Sequence, residues 1–105
     1  MKPSVYTARL VNEESGVATV EIGFGTPATN AELVPAALQA LRALPLAGGR
    51  RIRFTGPASV PVVSALTHAV AHQYGFVAWF DPKLQRFVIA VSHDPKLMPG
   101  DTLVP

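Results

Sequence analysis

From Val60 to Tyr74 the chain carries no Asp, Glu, Lys or Arg. At about 100° per residue, Val62, Val63, Leu66, Val70 and Tyr74 form one stripe of a helix, the stripe that faces a core. Ser59 in front of it is a suitable N-cap, and Pro61 fits the first turn. The spacing therefore predicts a helix over residues 59–74. Its opposite face holds Ser64, Ala65, His68, Ala71 and His72. A solvated helix face ordinarily carries charge, and this one carries small residues around two imidazoles. Such a face suits another subunit or the floor of a pocket. The plainer alternative is that both histidines are packing residues.

The segments around this helix alternate with a period of two. Residues 5–11 read as a strand and 12–16 as a turn. In 17–24, Ala18, Val20, Ile22 and Phe24 oppose Thr19, Glu21 and Gly23, so the two runs make a hairpin. Asn30 is the expected cap of a first helix, whose stripe is Leu33, Ala37, Leu41 and Leu44; Pro35 should then lie in its first turn. Residues 50–55 form a strand with Ile52 and Phe54 inward and Arg51 and Arg53 outward. Residues 76–80 and 87–91 are strands apolar on both faces, joined through Asp81-Pro82-Lys83-Leu84 as a turn. The same tetrapeptide recurs at Asp94-Pro95-Lys96-Leu97, as turn chemistry used twice. A short strand over 102–104 completes the set. This order implies an α+β domain, with two helices packed on one face of a mostly antiparallel sheet.

One domain accounts for all 105 residues. Hydrophobic residues make up 49% and charged residues only 15%, against a usual charged share of about 25%. Either a compact core leaves a sparse surface, or a second subunit covers part of it. A net charge of +2 argues against a groove for duplex DNA. No cysteine is present, which excludes disulfides and thiolate metal sites and is compatible with a reducing cytoplasm. An alternating segment, rather than an apolar signal core, follows Met1-Lys2-Pro3-Ser4. No apolar run has the length of a membrane span.

The candidate chemistry rests on few residues. His68 and His72 stand at i and i+4, yet the His-Glu-x-x-His zinc pattern is absent, because Ala69 follows His68. A divalent cation of the Mg or Mn type needs oxygen donors, and Asp81 is the carboxylate nearest in sequence. Asp81 is also a natural turn initiator before Pro82. His93 follows the last long strand, an ordinary place for a surface residue.

These residues resemble a known family. The motifs are Gly56-Pro57-Ala58-Ser59-Val60-Pro61; His68-Ala69-Val70-Ala71-His72-Gln73-Tyr74-Gly75; Phe80-Asp81-Pro82-Lys83-Leu84; Val91-Ser92-His93; and Gly100-Asp101. Together they resemble the Csx-three (Crn-three) ring nucleases of type III CRISPR systems. The resemblance implies a small α+β homodimer of ferredoxin-like flavour, sometimes fused to a larger AAA-type domain that these 105 residues do not contain. It implies Mn2+-dependent degradation of cyclic tetra-adenylate, with short RNA as a further substrate, by dimers that stack head to tail around the ligand. By position, Asp81, His72 and His93 are the implied catalytic residues, and Asp81 and His72 the metal ligands. Ser59, His68, Arg51, Arg53 and Lys83 are the expected substrate contacts. In one respect the chain departs from the pattern: some members carry a further histidine after the Tyr, and Gly75 stands there instead. A non-catalytic module that binds or senses cyclic oligoadenylate is the alternative, and a purely structural oligomerisation domain a third.

Overall fold

The computed structural model describes residues 4–105; Met1, Lys2 and Pro3, on which the reading of the N-terminus partly rests, lie outside the described residues. The chain runs β1 (Tyr6–Glu14), β2 (Val17–Phe24), α1 (Asn30–Arg42), β3 (Arg51–Thr55), α2 (Val60–Val70), β4 (Phe76–Asp81), β5 (Arg86–Ser92) and β6 (Thr102–Leu103). All six strands form one sheet in sequential order. β2, β3 and β4 pair parallel, while β1–β2, β4–β5 and β5–β6 pair antiparallel. The α+β class is as expected. The ferredoxin-like likeness stops at the layering, because two successive β-α-β crossovers replace that fold's split arrangement.

Local chemistry explains most boundaries. β1 and β2 meet in a two-residue turn, with φ of 55° at Ser15 and 79° at Gly16, the left-handed pair that matches strand twist. β1 therefore extends to Glu14, beyond the expected end at residue 11, with a bulge between Leu10 and Asn12. Thr29, not Asn30, caps α1: the Glu32 carboxylate accepts from the Thr29 backbone N–H and hydroxyl, at 3.4 and 3.1 Å. Pro35 consequently sits in the second turn rather than the first. The carbonyl it leaves unbonded belongs to the exposed Ala31 and is free to meet water. Ser59 caps α2 as expected, its Oγ accepting from Val62 N–H at 3.4 Å.

α2 ends at Val70, four residues earlier than its periodicity predicts. Tyr74 forms a parallel bridge with Gly49, and Gly49 N–H donates to the Gln73 carbonyl at 3.0 Å. This pairing ahead of β3 and β4 draws residues 71–75 out of the helix.

The main core lies between the helices and the sheet. Leu33, Ala37 and Leu41 of α1 and Val62, Leu66 and Val70 of α2 cover Ala18, Val20, Ile22, Ile52, Phe54 and Val77. Trp79 stacks on Phe54 at 4.5 Å and its Nε1–H donates to Thr67 Oγ1 at 2.9 Å. A second cluster, Phe76, Ala78, Phe87 and Ile89, occupies the other face under Leu97 and Leu103. This explains why β4 and β5 are apolar on both sides. The Tyr6 hydroxyl donates to the Pro57 carbonyl at 2.7 Å, and burial pushes its pKa up to about 12. A raised native pKa favours the fold below the unfolded value of about 10 and withdraws that contribution as pH climbs to 12. Urea unfolding at pH 9 and pH 11.5 is expected to show a loss of stability at the higher pH that Tyr6→Phe reduces by up to about 2 kcal/mol. The buried Tyr74 hydroxyl, whose pKa is also raised, accounts for part of what remains.

Candidate functional site

The sheet sorts the expected site residues to two opposite ends. β3 and β4 run parallel, so Thr55 and Asp81 finish at the same end, and the loop after β3 leads there to Ser59. Lys83 lies in the turn that follows Asp81. At the other end, β3 starts at Arg51 and β4 at Phe76, and β5 returns so that Ser92 pairs with Phe76. His93 is thus beside the start of β4, not beside Asp81. The length of β4 separates them, about 16 Å at a strand rise of about 3.3 Å per residue.

At the Asp81 end the carboxylate closes the β4–β5 turn. Its Oδ1 accepts from the backbone N–H of Lys83 at 2.8 Å and of Leu84 at 3.3 Å. Oδ2 makes no hydrogen bond among the described residues. The turn-initiator role is therefore real, and it leaves one carboxylate oxygen uncommitted.

At the opposite end two imidazoles meet. Because α2 stops at Val70, His72 stands in the turn beyond it, and its ring stacks on that of His93, centroids 6.0 Å apart and planes 24° apart. The expected His68–His72 pair on one helix face is replaced by a His72–His93 pair. His68 remains on the exposed face of α2's last turn. His93 is held by its backbone N–H, which donates to the Gly75 carbonyl at 2.8 Å. Its Nε2 is 2.7 Å from the Ala71 carbonyl oxygen. A carbonyl only accepts, so Nε2 carries the proton and Nδ1 of the neutral ring is left as the acceptor. Sequence reasoning missed this pairing, although hairpin geometry alone returns the end of β5 to the start of β4.

Arg51 and Arg53 are half-buried rather than solvated. The Arg51 guanidinium lies 5.2 Å from the centre of the Phe76 ring and that of Arg53 4.5 Å from Phe87. Arg53 donates to Thr19 Oγ1 at 3.2 Å. Burial and the neighbouring Arg51 hold its pKa below the usual arginine value. Among the described residues the one ion pair is Arg9–Glu21, so neither arginine has a carboxylate partner.

The family model of the CRISPR-associated protein (Cas_csx3) matches residues 27–104. The chain belongs to that family. No curated protein matches the sequence. The match starts well ahead of Gly56, where the motifs of the resemblance begin, and takes in both helices. In this Csx-three protein Gly75 sits at a close backbone approach. A Cβ there would stand 2.5 Å from the Arg50 carbonyl oxygen, because β3 and the residue before β4 approach backbone to backbone. No side chain fits at 75, and the nearby imidazoles are those of His72 and His93.

The same geometry bears on manganese. Asp81 and His72, the expected metal ligands, stand at opposite ends of β4. Among the described residues no three His, Cys, Asp or Glu side chains converge as a metal site. Within one chain the donor set does not fit a divalent cation. No helix among the described residues is long and apolar enough to cross a membrane.

Proposed function

We propose that this protein is a ring nuclease that cleaves cyclic tetra-adenylate and so switches off type III CRISPR antiviral signalling. The observation that carries the reading is a family match that spans His72, Asp81 and His93, the side chains with acid–base chemistry at the two ends of the sheet. In RNA the 2′-hydroxyl beside each phosphate is a built-in nucleophile. His93 takes its proton at Nδ1 as the 2′-oxygen bonds to phosphorus. The bond to the 5′-oxygen breaks, and that oxygen takes a proton from His72. The products are a linear oligoadenylate with a 2′,3′-cyclic phosphate at one end and a 5′-hydroxyl at the other.

Asp81 is too far from these imidazoles to act with them in one chain. The proposed site therefore forms between two copies, the Asp81 end of one meeting the His93 end of the next. Ser59 and Lys83 then contact the ligand from the Asp81 side and Arg51 from the other. Arg53 stands midway along β3 and His68 in the last turn of α2 on the His93 side, both as weaker contacts. The charge-free face of α2, with Ser64 and His68 exposed, suits the pairing of chains into a homodimer. The Mn2+ requirement implied by the resemblance is proposed for the two-copy assembly alone. The protein acts in the cytoplasm on this reading, and short RNA is its second substrate.

The test is incubation with cyclic tetra-adenylate after treatment with EDTA, with and without added Mn2+, read by chromatography. Linear product is expected with Mn2+, and equal product after EDTA alone would confine the chemistry to the imidazoles. Tight binding of intact ligand under both conditions would replace the reading with that of a non-catalytic sensor, the reading Gly75 favours. Neither binding nor cleavage would leave an oligomerisation domain.

A further inference from the structure

We infer that Arg51, backed by Phe76 and flanked by Arg50 and His93, forms an anion pocket that holds a phosphate group. The cavity measures about 280 Å3 and is lined by Arg50, Arg51, Gly75, Phe76, His93, Asp94 and Leu97. Arg50 and Arg51 outweigh the one carboxylate in it. That carboxylate is Asp94, which keeps its charge while its Oδ1 accepts from Lys96 N–H at 2.9 Å, so the pocket remains positive on balance.

Arg51 is the informative member. Its Nε is closed to solvent and donates to no acceptor among the described residues, so the terminal Nη groups are the part of the guanidinium that a ligand in the cavity can reach. A buried donor without an acceptor costs free energy, and a charged one costs more. The Phe76 ring fixes the guanidinium from one side, which leaves its N–H fork to be met by a ligand. A guanidinium fork matches two oxygens of a phosphate in parallel. Arg53 has a buried, unpartnered Nε as well, but its fork is already used: Nη2 donates to Thr19 Oγ1, and Nη1 reaches the Val104 carbonyl at 3.5 Å. The anion therefore sits at Arg51. This deepens the ring-nuclease reading by naming where a phosphate is held, and it rests on that reading only for the identity of the ligand.

The probe is inorganic phosphate, titrated into the full chain at constant ionic strength and followed on the Arg51 Nε–H signal by NMR. A saturable shift is expected. On the His93 ring signals, Arg51→Gln should weaken phosphate binding about tenfold or more. Arg42→Gln, the same charge change on α1, should leave binding as it is. No saturable shift in the wild type, or equal losses in both variants, would overturn the inference. The wild-type titration decides alone if Arg51→Gln does not fold. Cyclic tetra-adenylate in place of phosphate then separates the sources: a response to both identifies a nucleotide phosphate, and a response to phosphate alone identifies a free anion. Cleavage without any phosphate response would sink the pocket and spare the ring-nuclease reading. Phosphate bound at Arg51 beside intact cyclic tetra-adenylate would do the reverse.

Discussion

Asp81→Ala is expected to abolish cleavage and leave the fold in place. The substitution removes the two turn bonds accepted by Oδ1, each worth about 1 kcal/mol. The backbone bond that closes the turn, Gln85 N–H to the Asp81 carbonyl at 2.8 Å, survives. The β4–β5 pairing and the core beneath it are untouched, so the loss of stability is modest. The loss of rate is not, because the negative charge at this end of the assembled site disappears. Asp81→Asn separates the two roles. It keeps an oxygen for Lys83 and Leu84 N–H but carries no charge, and it should be as inactive as the alanine variant. Wild-type turnover in either variant would reduce Asp81 to a turn residue.

His93→Gln is expected to lower the single-turnover rate by about 100-fold or more, the range for loss of a general base. Glutamine retains an N–H to donate to the Ala71 carbonyl, so the position stays anchored while proton transfer at Nδ1 is lost. Affinity for cyclic tetra-adenylate should change much less, since the proton moves only in the transition state. His72→Ala should follow, because its ring stacks on His93. His68→Ala should have the smallest effect, since His68 lies on the exposed face of α2 away from that pair. Equal and small effects from all three would mean that the imidazoles are surface groups.

Much of the fold was legible because the signals are local. Alternation in Val17–Phe24 and in Arg51–Thr55, the Ser59 cap and the stripe from Val62 to Val70 each depend on neighbours in sequence. What escaped depends on distant partners. The end of α2 is set by the Tyr74–Gly49 bridge, and nothing between residues 60 and 74 announces it. The burial of Arg51 and Arg53 comes from the segment after β5, whose Pro95, Pro99 and Gly100 carry no period to read. It folds Leu97 and Leu103 over the face those arginines were expected to leave to solvent. For the candidate site, the residue types were legible and their grouping was not. Asp81 and His93 were assigned to one catalytic set, but a hairpin brings the end of its second strand to the start of its first, which parts them.

That separation supplies the most direct test of a site shared between copies. Asp81→Ala and His93→Gln are purified separately, each is assayed on cyclic tetra-adenylate, and equal amounts are then mixed and assayed again. A mixed interface can unite the intact Asp81 of one variant with the intact His93 of the other. With random assembly, about a quarter of the sites regain both groups, so the mixture should recover a corresponding share of wild-type cleavage. Two inactive variants that stay inactive when mixed, under conditions where the wild type cleaves, would contradict a site built from opposite ends of two chains.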